Sequence, residues 1–516
     1  MPKEEVLLRV EDLKTYFHTY EGVVKALEGI DVDVRRGETM GLVGETGCGK
    51  SVSALTIMGL IPIPPGKVES GHILLGEPSR ARSLRNEYDE KFKGSPKDRE
   101  KEIESLRKKL DSFKEGQQSE DAKNLEERLA ALTNAYDLLA KSPEELNEIR
   151  GDRISMIFQE PMTALNPAYT IGDQIGETIE LHQMDKLVDD VVKQLDLETK
   201  ASSQGLRAGK KVQIIDTGTG KPAENLKSMR TAKREVCSRC GTFVRDDWGA
   251  CTGCGARFSS GVVSAPVRRV FQRIALSYYT RLKENRYNTW AYLVRSNPIS
   301  VRLERRLSLA KLIRAEEALR DVKIAEPSRI VKSYPFELSG GMRQRAMIAM
   351  MMACKPDLLI ADEPTTALDV TVEAQILSLM KEMQRARDMS ILLITHDLGV
   401  IAETCHRVAV MYAGYIVELS TTEEIFALPM HPYTNALLKS IPKIGPKYIN
   451  DRKKPLYVIP GVVPNLLKPP PGCRFHPRCE RAMDKCSNEV PSLVELAPGH
   501  FVSCHNPVPM TKGGSP

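Results

Sequence analysis

ETMGLVGETGCGKSVSALTIMGL, residues 38–60, is the stretch whose reading decides the fold. Its apolar start, ending at Val43, predicts a buried strand, GETGCGKS (44–51) a glycine-rich turn, and the residues from Lys50 onward a helix. The turn fits G-x-x-x-x-G-K-[ST] in full. Gly44, Gly47 and Gly49 let the backbone N–H groups of Glu45, Thr46, Cys48 and their neighbours through Val52 curl around phosphate oxygens, and the helix start adds positive potential. Lys50 reaches the β and γ phosphates, and Ser51 is placed to ligate magnesium. A chance glycine-rich turn has no reason to carry a strand before it and a helix after it, so this one reads as a phosphate-binding loop.

Two further apolar strands end in residues that such a loop needs. KPDLLIADEPTTALD (355–369) contains Leu358 to Ala361 followed by Asp362 and Glu363, and two carboxylates at a buried strand end are costly without a role. Asp362 suits a magnesium partner, directly or through water, and Glu363 could polarise the water that attacks the γ-phosphate. Ile391 to Ile394 ends in Thr395, His396 and Asp397. There His396 could contact the γ-phosphate, or be an ordinary strand-end histidine. LSGGMRQR (338–345) sets Ser339, Gly340 and Gly341 just before a helix, which makes a second anion-binding N-terminus.

At 516 residues the chain is long enough for more than one folded unit. Hydrophobic residues at 41% and charged ones at 28% exclude wholesale disorder and fibrous repeats. The 74 Lys and Arg against 68 Asp and Glu leave +6, too mild an excess to imply a nucleic-acid partner. No targeting or membrane segment is expected, because MPKEEVLLRVEDL at the start is acidic and strand-like, and AMIAMMMAC (346–354) is too short to span a bilayer. Eight of the 11 cysteines fall into two tight tetrads, which favours metal binding in a reducing cytosol over a disulfide scaffold.

With these motifs in place, the sequence resembles the ATP-binding-cassette (ABC) ATPases. Walker A lies at 44–51, the Q-loop Gln159 in MIFQEPMTALNP, the signature at 338–345, Walker B at 358–363, the D-loop at Ala367 to Asp369 and the switch histidine at His396, all in the family's order. The resemblance implies ATP and Mg2+ as ligands, with Ser51, Gln159 and Asp362 around the metal and Glu363, His396 and Gln159 serving catalysis. It also implies a head-to-tail dimer in which each ATP lies between one Walker A and the other subunit's signature, and Phe17, beside Tyr16, looks like the aromatic that stacks on adenine. LKTYFHTYEGVVKALEGI, GLIPIPPGKVESGHILL, FQEPMTALNP, SYPFELSGGMRQRAMIAM and HPYTNALLKSIPK are similar to the dipeptide and oligopeptide importer ATPases, the DppD/OppD type. Membership there implies two polytopic membrane permease subunits, a second related ATPase subunit forming a heterodimer, an extracytoplasmic solute-binding protein, and a place on the cytoplasmic face of the membrane. Peptides are the implied solute, with oligosaccharides as the alternative.

Two stretches depart from the family pattern. Residues 77–138 place Ile103, Leu106, Leu110 and Phe113, then Leu125, Leu129, Leu132 and Tyr136 with Leu139 just beyond, at spacings of three and four, which predicts a short antiparallel helical hairpin. Residues 182–314 carry CSRC (237–240) and CTGC (251–254), each followed by glycine. Cys237, Cys240, Cys251 and Cys254 therefore read as a structural Zn2+ ribbon, with mononuclear iron or paired disulfides as rivals. Beside them, residues 267–314 hold twelve Lys or Arg against Glu284 and Glu304, interleaved with Phe271, Tyr278, Tyr279, Tyr287, Trp290 and Tyr292. That mixture suits phosphate and base contacts or lipid headgroups, and equally a packed amphipathic helix with a solvated basic face.

After Pro464, Cys473, Cys479, Cys486 and Cys504 have no zinc-knuckle spacing. They are similar to the cysteine-rich tail of the importer ATPases, for which the resemblance implies a 4Fe-4S cluster. Zinc on three cysteines with His476, His500 or His505 is the main rival and two disulfides the lesser one.

The expected fold is α/β. An ABC-type nucleotide-binding domain (P-loop parallel sheet, antiparallel β subdomain, helical subdomain) spans 1–76, 139–181 and 315–440, with a helical-hairpin insertion at 77–138. A zinc-ribbon insertion follows at 182–314 and a Cys-rich C-terminal region at 441–516. The expected function is the ATP-hydrolysing subunit of a di- or oligopeptide importer. The alternative is a soluble, repair-type ABC ATPase that would use the ribbon and the basic segment on nucleic acid; a single cassette and the importer wording around Gln159 weigh against it.

Overall fold

A computed structural model describes residues 5–92, 95–111, 120–159, 164–203, 234–236, 243–245, 279, 298–366, 368–441 and 457–509. The chain divides into two compact units, residues 1–164 with 355–516, and residues 165–354.

The strands in chain order are β1 (Val6–Thr19), β2 (Gly22–Arg35), β3 (Thr39–Val43), β4 (Gly66–Leu75), β5 (Ile154–Ile157), β6 (Arg234–Val236) and β7 (Phe243–Arg245). They continue as β8 (Leu358–Asp362), β9 (Ser390–Thr395), β10 (Arg407–Tyr412), β11 (Tyr415–Thr421), β12 (Val494–Ala497) and β13 (His500–Val502). In the first unit β2-β1-β4 form an antiparallel sheet, and a second sheet runs β12-β13-β11-β10-β3-β9-β8-β5. The five strands from β10 to β5 are parallel, whereas β11, β13 and β12 join antiparallel.

Every residue of β3, β8, β9 and β10 is buried, as expected of parallel strands covered on both faces, which therefore read as continuous apolar runs. The side-chain period of two divides β10 between two cores. Ala409 and Met411 face a core shared with β1, β2, β4 and helix α1 (Lys50–Ile57), while Val408, Val410 and Tyr412 face one shared with Tyr433 and Phe475. The cysteine-rich tail is thus part of the first unit, since β13 extends the main sheet on β11 and Phe475 is buried in its second core.

Among its described residues the insertion at 77–138 holds three helices rather than the two of a hairpin: α2 (Ser79–Lys91), α3 (Pro96–Asp111) and α4 (Glu120–Leu132). Tyr88, Leu106, Ala131 and Leu132 form its core, with Leu84, Phe92, Ile103, Leu125 and Leu129 against them. Asp137 fastens the return of the chain by accepting the Ile73 N–H at 3.1 Å and pairing with His72 at 2.7 Å.

In the second unit, α5 (Ile171–Ser203) runs through the expected boundary at residue 182, and α6 (Pro298–Asp321) begins well before 315. The helical subdomain therefore includes the buried Leu187, Val188 and Val191 on one helix and Leu307 and Ala310 on the other. The backbone of α5 departs from helix at Gln183, whose amide donates to the Cys354 carbonyl at 2.8 Å and accepts from Arg314 at 3.0 Å. Lys311 pairs with Glu180 at 2.6 Å and Arg314 with Asp190 at 2.7 Å, so these two members of the basic segment serve packing. β6 and β7 pair as a two-stranded ribbon, but Cys237, Cys240, Cys251 and Cys254 lie outside the described residues, as does the basic segment from 267 to 297 apart from Tyr279.

Candidate active site

Walker A occupies the turn between β3 and α1, at the carboxyl end of the parallel strands, where open α/β sheets bind ligands. Gly47 (φ 83°) and Gly49 (φ 108°) take left-handed conformations that side chains avoid. A Cβ on Gly44 would lie 2.2 Å from the Met411 carbonyl oxygen, so glycine is obligatory there for space. Lys50 is buried and its ammonium donates to the carbonyls of Gly44 (2.7 Å) and Glu45 (3.1 Å), folding across the loop it serves. Cys48 is 1% exposed and burial pushes its thiol pKa up; its sulfur packs in the core under the loop, 3.9 Å from the Lys50 ammonium.

Sheet order assembles the rest. β5, β8, β9 and β3 are successive neighbours, so residues after their ends converge although Gln159 and Glu363 are 204 positions apart. Glu363 follows β8 with φ 47°, a conformation uncommon outside glycine. Its carboxylate accepts from the Gln159 amide at 3.0 Å and from the Thr366 hydroxyl at 3.1 Å, and it meets His396 Nδ1 at 2.9 Å. Burial alone would raise its pKa, but the hydrogen bonds and charge of His396, with help from Thr366 and Lys50, hold it below the ordinary value. Asp362 goes the other way. Burial and the neighbouring Glu363 charge raise it against a hydrogen bond from Ser51, and its Oδ1 is buried without a hydrogen-bond partner. An orphaned carboxylate oxygen beside the Ser51 hydroxyl fits a magnesium ion, which would supply the missing partner.

Asp369 caps the helix Val370–Arg387, accepting the Val372 N–H at 3.0 Å, while Ala367 lies outside the described residues. Phe17 and Tyr16 alternate along β1, and only Tyr16 has a polar tie, its hydroxyl donating to Glu28. Phe17 is half-buried beside Gly66. In the second unit, Ser339 and Gly340 are exposed at the start of α7 (Gly340–Met352), and a Cβ on Gly340 would meet nothing within 4 Å.

The helix Pro432–Lys439 and the tail contribute residues to this site that motif reading left unassigned. The Tyr433 hydroxyl accepts the backbone N–H of Glu45 at 3.0 Å, and Arg478 grips both oxygens of the Glu45 carboxylate at 2.7 and 3.1 Å. Arg474 donates to Glu28 at 2.8 Å and to the carbonyls of Ala413 and Lys25. Their signal was present in HPYTNALLK and GCRFHPRC, but nothing local says which loop a tyrosine or arginine will reach.

Cys473, Cys479, Cys486 and Cys504 are free thiols lying near one another; burial raises the pKa of Cys473, Cys479 and Cys504, the last pushed up to about 11, and the charge of nearby Cys486 adds to each. Backbone N–H groups donate to Cys479 Sγ from Arg481 and to Cys504 Sγ from Asn506, both at 3.4 Å. Even so, among the described residues no three His, Cys, Asp or Glu side chains stand in metal-holding geometry, so the expected 4Fe-4S ligands are gathered but not poised. The histidines of the zinc alternative are engaged elsewhere: His500 with buried Glu418 at 2.7 Å, His476 with the Cys473 carbonyl at 2.9 Å and His505 with the Glu489 carbonyl at 3.1 Å.

Comparison with known proteins identifies the family. The ABC transporter family matches residues 27–149 and 259–366, and the family described as oligopeptide/dipeptide transporter, C-terminal region, matches 417–486. The probable peptide ABC transporter ATP-binding protein y4tR of Sinorhizobium fredii is 33% identical over 98% of this chain and 96% of its own. The dipeptide transport ATP-binding protein DppD of Bacillus subtilis is 33% identical over 97% of this chain and 94% of its own, and DppD of Escherichia coli 31% over 97% of each. Among solved structures, the dimeric cassette MJ0796 matches at 15% identity, covering 80% of this chain and 98% of its own, with a TM-score of 0.40. Among the described residues no helix is long and apolar enough to cross a membrane. With a phosphate loop, a Walker B carboxylate pair and relatives matched from end to end, this chain is an ATPase and belongs to the ATP-binding proteins of the peptide ABC transporters.

Proposed function

We propose that this chain energises uptake of di- or oligopeptides, working on the cytoplasmic face of the membrane with two permease subunits, a second related ATPase and an extracytoplasmic binding protein. The observation that carries the reading is Glu363 held at the junction of three strand ends by Gln159 and His396, beside a phosphate loop and an unpaired Asp362 oxygen. In this reading Lys50 and the loop N–H groups bind the phosphates, and Ser51, Asp362 and Gln159 surround magnesium. Glu363 orients water, His396 contacts the γ-phosphate, Phe17 stacks on adenine, Asp369 serves the dimer, and Ser339, Gly340 and Gly341 complete the partner's site. Release of Glu363 from Gln159 and His396 is then what nucleotide and the membrane subunits must bring about.

Two metal readings accompany this one. Cys473, Cys479, Cys486 and Cys504 would hold a 4Fe-4S cluster as a staple for the tail; their mutual proximity and the N–H groups aimed at sulfur support it. The paired CxxC of Cys237, Cys240, Cys251 and Cys254 supports structural zinc.

The test is purification from native membranes in mild detergent, with subunits, iron, labile sulfide and zinc measured on one sample and peptide uptake measured after reconstitution. Two permeases, a second cassette and ATP-dependent peptide uptake are expected. Recovery without permeases, or uptake indifferent to peptide, would overturn the reading.

A further inference from the structure

Glu45 is an acidic side chain inside a loop whose purpose is to bind an anion. A carboxylate free to turn toward the bound phosphates would oppose them, since like charges at short range in a partly dry site repel strongly. The structure removes that freedom from outside the motif. Arg478 forms a two-pronged ion pair with both Glu45 oxygens and is itself fixed by the Tyr412 hydroxyl at 3.2 Å and the Pro460 carbonyl at 2.8 Å. Its side chain is 5% exposed, so the charge has little solvent to fall back on. Tyr433, fully buried, holds the backbone N–H of the same residue. The loop's second residue is thus gripped at side chain and backbone by residues 388 and 433 positions away.

We propose that Arg478 and Tyr433 are positioning residues of the nucleotide site, holding Glu45 away from the phosphates so that the C-terminal region sets the affinity of the phosphate loop for MgATP. The inference rests on the assignment of residues 44–51 as that loop. It gives the tail a role at the nucleotide site whatever its cysteines bind, because its contact is made by an arginine, Arg478, beside Tyr433 from the helix just before the tail. Charge-assisted, two-pronged pairs are the strong ones, which makes the effect large enough to measure.

The test uses the full-length chain, with MgATP hydrolysis for KM and kcat and a trinitrophenyl-ATP probe for binding. Arg478→Gln should raise KM and weaken probe binding by on the order of tenfold, the factor that corresponds to ~1.4 kcal/mol, with kcat changed less than about twofold. In Arg478→Gln with Glu45→Gln the unpaired carboxylate is gone and KM should return most of the way to the wild-type value. Tyr433→Phe, which deletes only a hydroxyl, should raise KM without lowering kcat. A double variant as impaired as Arg478→Gln alone would mean that Arg478 merely props the tail, and would overturn the proposal. So would singles with unaltered KM. Lys50→Ala separates the two levels. If it abolishes probe binding while the Arg478 and Tyr433 variants leave KM unchanged, only this inference fails; if probe binding survives Lys50→Ala, the loop assignment fails with it.

Discussion

His431 is 1% exposed and caps the helix Pro432–Lys439 through Nδ1, which accepts the Tyr433 N–H at 3.0 Å and must therefore be unprotonated. Burial pushes the ring from 6.5 down to about 4, against a weaker opposing pull from the Glu418 carboxylate. Glu418 offers the ring little more, because it already meets the Met430 and His431 N–H groups and His500. In the unfolded chain the ring titrates near ~6.5, so below that pH the unfolded state takes up a proton which the folded state refuses until about pH 4. The contribution is fully present above pH ~6.5 and disappears on the way down to about 4. At ~1.4 kcal/mol per pH unit separating the two values, the whole loss is roughly 3 kcal/mol, of which about 2 kcal/mol has gone by pH ~5. Urea titrations followed by far-ultraviolet circular dichroism at pH ~7.5 and ~5 measure it, with His431→Asn as the comparison. Asparagine keeps a cap acceptor but cannot take the proton. The wild type should lose about 2 kcal/mol more than the variant over that interval. Equal losses in the two proteins would refute the assignment of this acid sensitivity to His431.

Replacing Glu363 by Gln should leave MgATP binding intact and cut turnover by about 10²–10⁴; undiminished hydrolysis in single-turnover assays would remove Glu363 from the catalytic role. Gly44→Ala must displace the Met411 carbonyl from a 2.2 Å contact, so it should destabilise the chain by about 1–3 kcal/mol and lose ATP binding, read together by thermal shift with and without MgATP. Asp362→Asn removes one charge from the magnesium pair and should raise the Mg2+ concentration needed for half-maximal hydrolysis; an unchanged requirement would place the ion elsewhere. Cys48, buried and with a raised pKa, should resist maleimide in the folded protein and react only after denaturation, as peptide mapping would reveal.

The nucleotide site was readable because its chemistry is local. Gly44 to Ser51 needs glycines where φ is positive or space absent, and Asp362 and Glu363 stand at the end of an apolar run too short to be anything but a strand. Its closure was not readable from spacing alone. The hydrogen bond between Gln159 and Glu363 depends on β5 lying beside β8, and the grip on Glu45 depends on where Tyr433 and Arg478 arrive 388 and 433 residues later. Helix α2 escaped for a different reason: its buried face is Ala81, Arg85 and Tyr88, and an arginine satisfied by Glu77 and Glu11 at 2.9 Å does not register as apolar periodicity. Both tail strands are short and β12 is largely exposed, so VELA and HFV carry little strand signal of their own. The extent of the helical subdomain was misjudged because α5 and α6 carry their buried faces past the expected boundaries at 182 and 315, while the residues that do punctuate the chain, Gly205 and Pro298, lie well inside the insertion.

The position of β3 also has a consequence for synthesis. The strand that launches the phosphate loop takes both its sheet neighbours, β9 and β10, from sequence that leaves the ribosome roughly 350 residues later. At translation speeds of about 5–20 residues per second, the nascent strand waits on the order of 20–70 s with two unsatisfied edges. Much of that delay comes from the two insertions, so shortening either one should raise the yield of soluble protein in rapid expression.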